Sequence, residues 1–400
     1  MSGRPDLLLA FDFPPMGGGI ARWMSEIARR YPPGELVICT GRLPGDATAD
    51  AGLPNAVSRV PIPSGRLRTL FGQVRWGRHV LRLDRQFGFR FVWCDNIRPS
   101  AYPANLLFRR RHLPYGVILY GSDLFDLRRN YRRSRFKRMI ARRLLGDAAV
   151  LVTISRWTAN LAREVLVELD LDRSIPSVRV VSLGSDPTMF RPGIDPTNFR
   201  RERGLPEGPW IVTVARLELY KGADVVIRAL RLLVENGRDL RYAVVGEGPA
   251  RAELEALARS EGVADRVHFL GAVPDNSLPE AYALADIYAG MTRQTEREVE
   301  GFGISLVEAQ ACGKPVVAGR GGGTADAVRD GETGLLVDPL DPGAVAAAVN
   351  DLLGDSIRAA AMGAAGRQAV ERYYNWDRVI ADLRAISEEM GAIRRAGASG

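Results

Sequence analysis

Short uninterrupted apolar runs alternate along the chain with longer stretches in which apolar residues recur every three or four positions. In the first half the runs fall at Leu7–Phe11, Leu36–Cys39, Val57–Ile62, Phe89–Cys94, Tyr115–Tyr120, Val150–Ile154 and Val178–Val181. Continuous rather than alternating apolarity predicts strands covered on both faces, which is the signature of a parallel sheet. After the first run, Asp12-Phe-Pro-Pro-Met-Gly-Gly-Gly19 is a turn-rich loop, and Ile20, Trp23, Met24 and Ile27 then take the i, i+3, i+4, i+7 spacing of an amphipathic helix. Strand, glycine loop and helix in that order predict a doubly wound α/β domain.

Between Pro187 and Pro209 the composition shifts to Pro, Asp, Gly and Arg and reads as a linker. A second α/β pattern follows: strands at Trp210–Ala215, Tyr242–Val245 and Val267–Leu270, helices at Ala223–Val234 and Ala250–Ser260, and short elements at Ala281–Leu284, Ile287–Ala289 and Pro315–Ala318. The remainder, Ala344–Leu353, Ser356–Arg372 and Arg378–Met390, is helical. The expected architecture is two Rossmann-like domains, 1–192 and 193–372.

Inside the second pattern lies Glu300-Gly-Phe-Gly-Ile-Ser-Leu-Val-Glu308, in which two carboxylates bracket a glycine-broken turn. A helix starting near Ile304 or Ser305 would aim unpaired N–H groups at a ligand, and Glu308 would follow about one turn later. Glu300 would sit on the strand side of the turn. A plain linker with two solvated glutamates is the alternative. Arg216-Leu-Glu-Leu-Tyr-Lys221-Gly222 follows the first strand of the same domain. Ligands of open parallel sheets collect at strand carboxyl ends, so Arg216 and Lys221 are expected in the crevice of the Glu300 loop, where two cations suit a diphosphate.

Charge changes the picture of the first domain. The formal net charge is +8, yet Arg59 to Arg143 alone holds 21 Lys and Arg against 4 Asp. Lysine occurs only at 137, 221 and 314. In the segment 64–85, Leu67, Leu70, Phe71, Val74 and Leu81 can share a helix face while Arg66, Arg68, Arg75, Arg78 and Arg82 occupy the others. Such a helix could lie on an anionic membrane surface. Arg128–Arg143 carries nine cations and no acid. A solvated basic face is the plain reading of both; nucleic-acid binding is a third, with no recognised module beside it. No apolar run reaches the roughly 18 residues of a membrane span, and the N-terminus runs straight into a strand pattern, which predicts a cytoplasmic protein. Cys39, Cys94 and Cys312 share no metal-like spacing and read as reduced thiols.

Taken together, Arg216…Lys221-Gly222, Gly246-Glu-Gly248-Pro, Phe269-Leu-Gly271, Glu300-Gly-Phe-Gly…Glu308-Ala…Gly313-Lys-Pro-Val-Val-Ala and Asp330-Gly-Glu-Thr-Gly334 resemble the retaining GT-B glycosyltransferases of family 4. Asp12-Phe-Pro-Pro…Gly18-Gly19-Ile20 and Leu183-Gly…Asp186…Phe190-Arg-Pro192 extend the likeness over the whole chain. The motifs are most similar to those of the PimB-type phosphatidylinositol mannosyltransferases. The resemblance implies two Rossmann-like domains facing each other across a cleft, with a C-terminal helix of about 373–392 returning to the first. It implies a metal-independent hexosyltransferase that uses a nucleotide sugar, GDP-mannose, and an α-linked, lipid-borne acceptor, with no cofactor and peripheral association with the inner membrane face. In that picture Arg216 and Lys221 hold the donor diphosphate, and Glu300 and the amides of Gly301, Phe302, Gly303 and Ile304 hold the donor sugar. Glu308 binds the ribose, Val273 borders the base, and Gly18 and Gly19 face the diphosphate or acceptor.

One departure stands out. Family members often carry His-Gly at the end of an N-terminal-domain strand, and here Tyr120-Gly121 replaces it, followed by Asp123. Tyr120 is expected either to offer its hydroxyl to the sugar, oriented by Asp123, or to be a core tyrosine; Asp12 is placed with them on the acceptor side. His79, His112 and His268 lie outside any motif and read as structural. A UDP- or GDP-sugar transferase with a soluble acceptor (a metabolite, aminocyclitol or polysaccharide), a nucleic-acid-binding protein and a sugar-nucleotide epimerase are the other readings.

Overall fold

The structure is a computed structural model and describes residues 4–61, 66–171 and 177–397, with the side chains of 66–71 and 393–397 outside the description. The chain divides into two compact units: residues up to Ser182 together with those from Trp376 onward, and Leu183–Asn375. The first boundary therefore falls ten residues before the expected position at 192, because Phe190 and its neighbours pack within the second unit: Arg367 Nη1 donates to the Phe190 carbonyl at 2.7 Å. The second falls at 375 rather than 372.

The first unit is built on a parallel sheet of β1 (Asp6–Ala10), β2 (Leu36–Gly41), β3 (Ala56–Val60), β4 (Val92–Cys94), β5 (Tyr115–Leu119), β6 (Val150–Thr153) and β7 (Ser177–Val180), in the order 3-2-1-4-5-6-7. Its helices are α1 (Gly19–Arg30), α2 (Asp46–Asp50), α3 (Arg66–Phe87), α4 (Ala101–Arg111), α5 (Ser122–Arg133), α6 (Arg135–Gly146) and α7 (Arg156–Glu168). Every residue of β1 and β5 is buried, as the continuous apolar runs require. One core gathers under α3, α4, α5, α6 and α7, around Trp76, Leu107, Leu127, Leu145 and Leu161.

The second unit has α8 (Thr197–Glu202), β8 (Trp210–Val214), α9 (Ala223–Glu235), β9 (Arg241–Val245), α10 (Arg251–Ser260), β10 (Val267–Gly271), α11 (Leu278–Ala283), β11 (Ile287–Gly290), α12 (Ile304–Ala311), β12 (Val316–Gly319), α13 (Thr324–Ala327), β13 (Leu335–Val337), α14 (Pro342–Gly354) and α15 (Ser356–Arg372). Its parallel sheet runs 10-9-8-11-12-13. The segment read as a linker thus contains α8, and Ala281–Leu284 resolves as helix.

α16 (Trp376–Gly397) belongs to the first unit and packs on α1. A buried polar knot fixes it: Ser387 Oγ and Tyr31 Oη donate to Asp6 Oδ2 at 2.7 and 2.6 Å, and Arg90 Nε meets Asp6 Oδ1 at 2.9 Å. Each sheet reverses its strand order once, between β1 and β4 and between β8 and β11. Loops leaving the carboxyl ends of such neighbouring strands diverge to opposite sides and leave a crevice.

Candidate functional site

In the second unit the switch point brings two separated segments together. β8 feeds a short turn, Leu219–Lys221, that ends at Gly222 in the left-handed region, φ 79°. A Cβ at Gly222 would stand 2.0 Å from the Met291 carbonyl oxygen, so only glycine lets the β8 loop close on the end of β11. That approach carries Lys221 to the Glu300 loop, where its Nζ meets Glu300 Oε2 at 2.8 Å, both side chains half-buried. Thr292 Oγ1 lies 3.4 Å from the same oxygen. Burial opposes the Lys221 charge, but the Glu300 carboxylate and Tyr220 outweigh it and raise its pKa.

The turn after Glu300 is locked from both sides. Gly303 has φ 97°, and Gly323 N–H donates to the Glu300 carbonyl at 2.8 Å. α12 then begins at Ile304, so its first-turn amides open beside Glu300. Glu308 sits on the helix's inner side at 2% exposure, and Tyr282 Oη donates to its Oε2 at 2.6 Å.

One expectation needs correction. Arg216 does not join the Lys221–Glu300 pair: its side chain is 65% exposed and lies 3.5 Å from Glu218 Oε1. The close cause is sequence, since an acid two residues on offers the guanidinium a local partner. Phe302 is expected to act through its amide; its ring is buried and packs on Tyr374, ring centroids 5.7 Å apart. Val273 is half-buried in the loop after β10, the outermost strand on its side of the sheet. Gly301 and Gly303 are buried in the turn, and Ile304 is half-buried.

The first unit builds a different cluster at its own switch point. Asp95, at the end of β4, is fully buried and accepts from Phe11 N–H at 2.7 Å, from Asp12 N–H at 2.9 Å and from Ser100 Oγ. It thereby pins the loop that leads to Gly18 and Gly19, which stand exposed at the start of α1. Burial pushes the Asp95 carboxyl up to about 7 against the pull of these donors. Burial also raises Asp12, whose hydrogen bond with Asn96 works the other way. Asp123 does not orient the Tyr120 hydroxyl; its Oδ1 accepts the Tyr120 and Gly121 N–H groups at 3.1 and 2.8 Å, just ahead of α5. Burial lifts its carboxyl to about 6. Tyr120 packs edge-on against Trp23, centroids 5.5 Å apart, and its buried hydroxyl meets no hydrogen-bond partner among the described residues. Sequence reasoning passed over Asp95 and Tyr282. Asp95 carried a usable signal, a lone acid directly after a buried strand run.

The basic helix α3 turns Trp76, Val80 and Leu83 inward and leaves Val74 exposed. Arg75, Arg78 and Arg82 line a groove of about 600 Å³ with Arg42, Arg59 and His79. Arg59 is bonded to Asp50, Nη2 to Oδ1 at 2.7 Å. The side chains of Arg66 and Arg68, like those of Leu67, Leu70 and Phe71, lie outside the described residues.

Residues 195–369 match the family model described as glycosyl transferases group 1, and residues 18–173 match the glycosyl transferase 4-like domain. A GDP-mannose-dependent alpha-(1-6)-phosphatidylinositol monomannoside mannosyltransferase of Mycolicibacterium smegmatis is 33% identical over 92% of this chain and 94% of its own. The chain belongs to the group 1 glycosyltransferases. A D-inositol 3-phosphate glycosyltransferase of Acidothermus cellulolyticus is 35% identical to this glycosyltransferase over 64% of its chain and 58% of the relative. Among solved structures, HepE from Anabaena in complex with UDP superposes with a TM-score of 0.78 at 18% identity, covering 96% of this enzyme and all of that chain. Sucrose-phosphate synthase of Thermosynechococcus elongatus superposes at 0.79 and 19% identity, covering 98% and 100%. The fold is thus GT-B, two doubly wound parallel-sheet domains, and the enzyme is a glycosyltransferase.

Proposed function

We propose that this enzyme transfers an α-linked mannosyl group from GDP-mannose, with retention, to a phosphatidylinositol-type lipid. The observation that carries the reading is the Lys221–Glu300 contact at the β8/β11 switch point, supported by a mannosyltransferase relative spanning nearly the whole chain.

In this reading the donor diphosphate competes for the Lys221 ammonium, and the displaced Glu300 turns to hydroxyls of the sugar. Arg216 swings from Glu218 to the diphosphate, and Glu308 receives the ribose hydroxyls. As the bond from the anomeric carbon to the phosphate oxygen breaks, charge accumulates on the diphosphate, where Lys221, Arg216 and the first amides of α12 stabilise it. The acceptor oxygen bonds to the same face of the anomeric carbon, and its proton passes to the departing phosphate oxygen. These cations take the place of a metal in this scheme, so EDTA is expected to leave turnover unchanged; loss of activity restored by a divalent ion would refute that part. On the acceptor side the groove of Arg75, Arg78 and Arg82 would meet anionic lipid headgroups. No helix among the described residues is long and apolar enough to cross a membrane, so contact with the lipid would be peripheral.

Thermal unfolding in the presence of GDP-mannose, UDP-glucose, UDP-N-acetylglucosamine or UDP-galactose tests the donor. GDP-mannose is expected to raise Tm most, since a ligand at 100 times its Kd adds roughly 2.7 kcal/mol to stability. A larger rise with any UDP-sugar sinks the donor assignment. The second reading, a soluble inositol phosphate acceptor, is favoured by the D-inositol 3-phosphate glycosyltransferase relatives. Rates on phosphatidylinositol and on free inositol phosphate, with the best donor, separate the two.

A further inference from the structure

The cations of the first unit fall on two surfaces: on α3 Val74 stands exposed beside Arg75, Arg78 and Arg82, whereas α6 sets an aromatic and a thioether side chain in the open together. Helix α6 buries Ala141, Leu144 and Leu145 in the core, with Ile140 packed beside them. That face suffices to dock it. Phe136 and Met139 nevertheless stand out at 66% and 58% exposure, and their spacing of three places them side by side on the helix. Arg135, Lys137, Arg142 and Arg143 surround them.

These cations are only partly neutralised. Arg138 and Arg142 share Asp170 at 2.9 and 3.0 Å, whereas Lys137 reaches the neutral Asn130 and Arg143 the neutral Asn105. Arg133 and Arg135 make no ion pair among the described residues. A second copy of this chain would set like charge against like across a two-fold contact, which disfavours self-association through this face. An anionic bilayer accommodates both features, phosphates for the cations and the acyl boundary for an aromatic and a soft thioether side chain.

We propose that α6 is a membrane-inserting contact of the enzyme: Phe136 and Met139 enter the acyl boundary of an anionic bilayer while Arg135, Lys137 and Arg143 engage lipid phosphates. This rests on the lipid-acceptor reading above.

The test uses the full chain with Met139→Cys carrying an environment-sensitive fluorophore. Cys39, Cys94 and Cys312 are buried, so the new thiol is the accessible one. Vesicles of phosphatidylcholine, alone or with about one third phosphatidylglycerol, are the probe. Emission is expected to shift to the blue, and to be quenched by acyl-chain spin labels, on anionic vesicles only; the same label at Arg29→Cys on α1 is expected to keep its aqueous emission. The Phe136→Ser/Met139→Ser enzyme should lose at least about tenfold in partitioning onto anionic vesicles, with Tm and turnover on a detergent-dispersed acceptor unchanged. If the parent sediments with anionic vesicles but the label at 139 stays in water, the proposal fails while the lipid-acceptor reading stands. If the parent sediments with neither vesicle and turns over free inositol phosphate alone, that reading falls too. A blue shift on a single-stranded RNA oligonucleotide without any shift on vesicles would reassign the face to nucleic acid.

Discussion

The switch points of the two units occupy equivalent places in one topology and hold opposite chemistry. Where β1 and β4 end, the first unit gathers Asp12 and Asp95, with Tyr120 and Asp123 after the neighbouring β5; backbone amides hold Asp95 and Asp123, and a serine hydroxyl also holds Asp95. Where β8 and β11 end, the second sets Lys221 against Glu300 beside the amino end of α12. The sheet therefore supplies a location, and the residue after each strand decides its charge. In the proposed reaction the difference has a purpose. A departing diphosphate needs cations, whereas a hydroxyl acceptor needs hydrogen-bond acceptors and a rigid loop.

If the comparison holds, its largest consequence is at Lys221. Lys221→Ala and Glu308→Ala should each lower turnover by at least about 100-fold, the cost of losing one stabiliser of transition-state charge or positioning. Rates within a few-fold of the parent would mean that the cationic site lies elsewhere. Arg216→Ala sharpens the same point. Exposed and paired locally in this structure, Arg216 is expected to cost about tenfold, less than Lys221, because solvent screens it. A loss equal to that of Lys221 would show that the diphosphate recruits it fully.

On the acid side the effects are smaller. Tyr120→Phe removes a buried hydroxyl with no partner among the described residues, and an unmet buried donor costs about 1–3 kcal/mol. Tm should therefore hold or rise. If the hydroxyl meets the sugar or acceptor, kcat/KM falls several-fold despite the gain. A rise in Tm with unchanged kcat/KM would leave Tyr120 as a core residue packed on Trp23.

Much of this was legible in the chain. Uninterrupted runs such as Leu7–Phe11 and Tyr115–Tyr120 announced buried parallel strands, and the Glu300-Gly-Phe-Gly turn announced a helix beginning near Ile304 or Ser305, which starts at Ile304. What escaped were partners brought in by strand order. Tyr282 reaches Glu308 from 26 residues away, and Asp95 reaches the Phe11–Asp12 backbone across more than 80, because β4 pairs with β1 after β2 and β3 have been laid on its other edge. Local periodicity carries no record of that order.

The subtlest test concerns Asp95, where loop positioning and titration meet. Its folded carboxyl titrates near 7, above the roughly 3.9 of an unfolded aspartate. Between those values the native state binds more protons than the unfolded one, so this group's contribution to stability falls as pH rises from about 4 to about 7 and is level beyond. Asp95→Asn cannot ionise, so its Tm relative to the parent should improve across that window. Asparagine has one acceptor oxygen where the carboxylate has two, so it cannot serve Phe11, Asp12 and Ser100 alike. The loop to Gly18 should loosen, and KM for the acceptor should rise several-fold more than kcat falls. A Tm difference that does not vary with pH would place the Asp95 carboxyl at an ordinary pKa and remove the electrostatic contrast between the two switch points at its most buried residue.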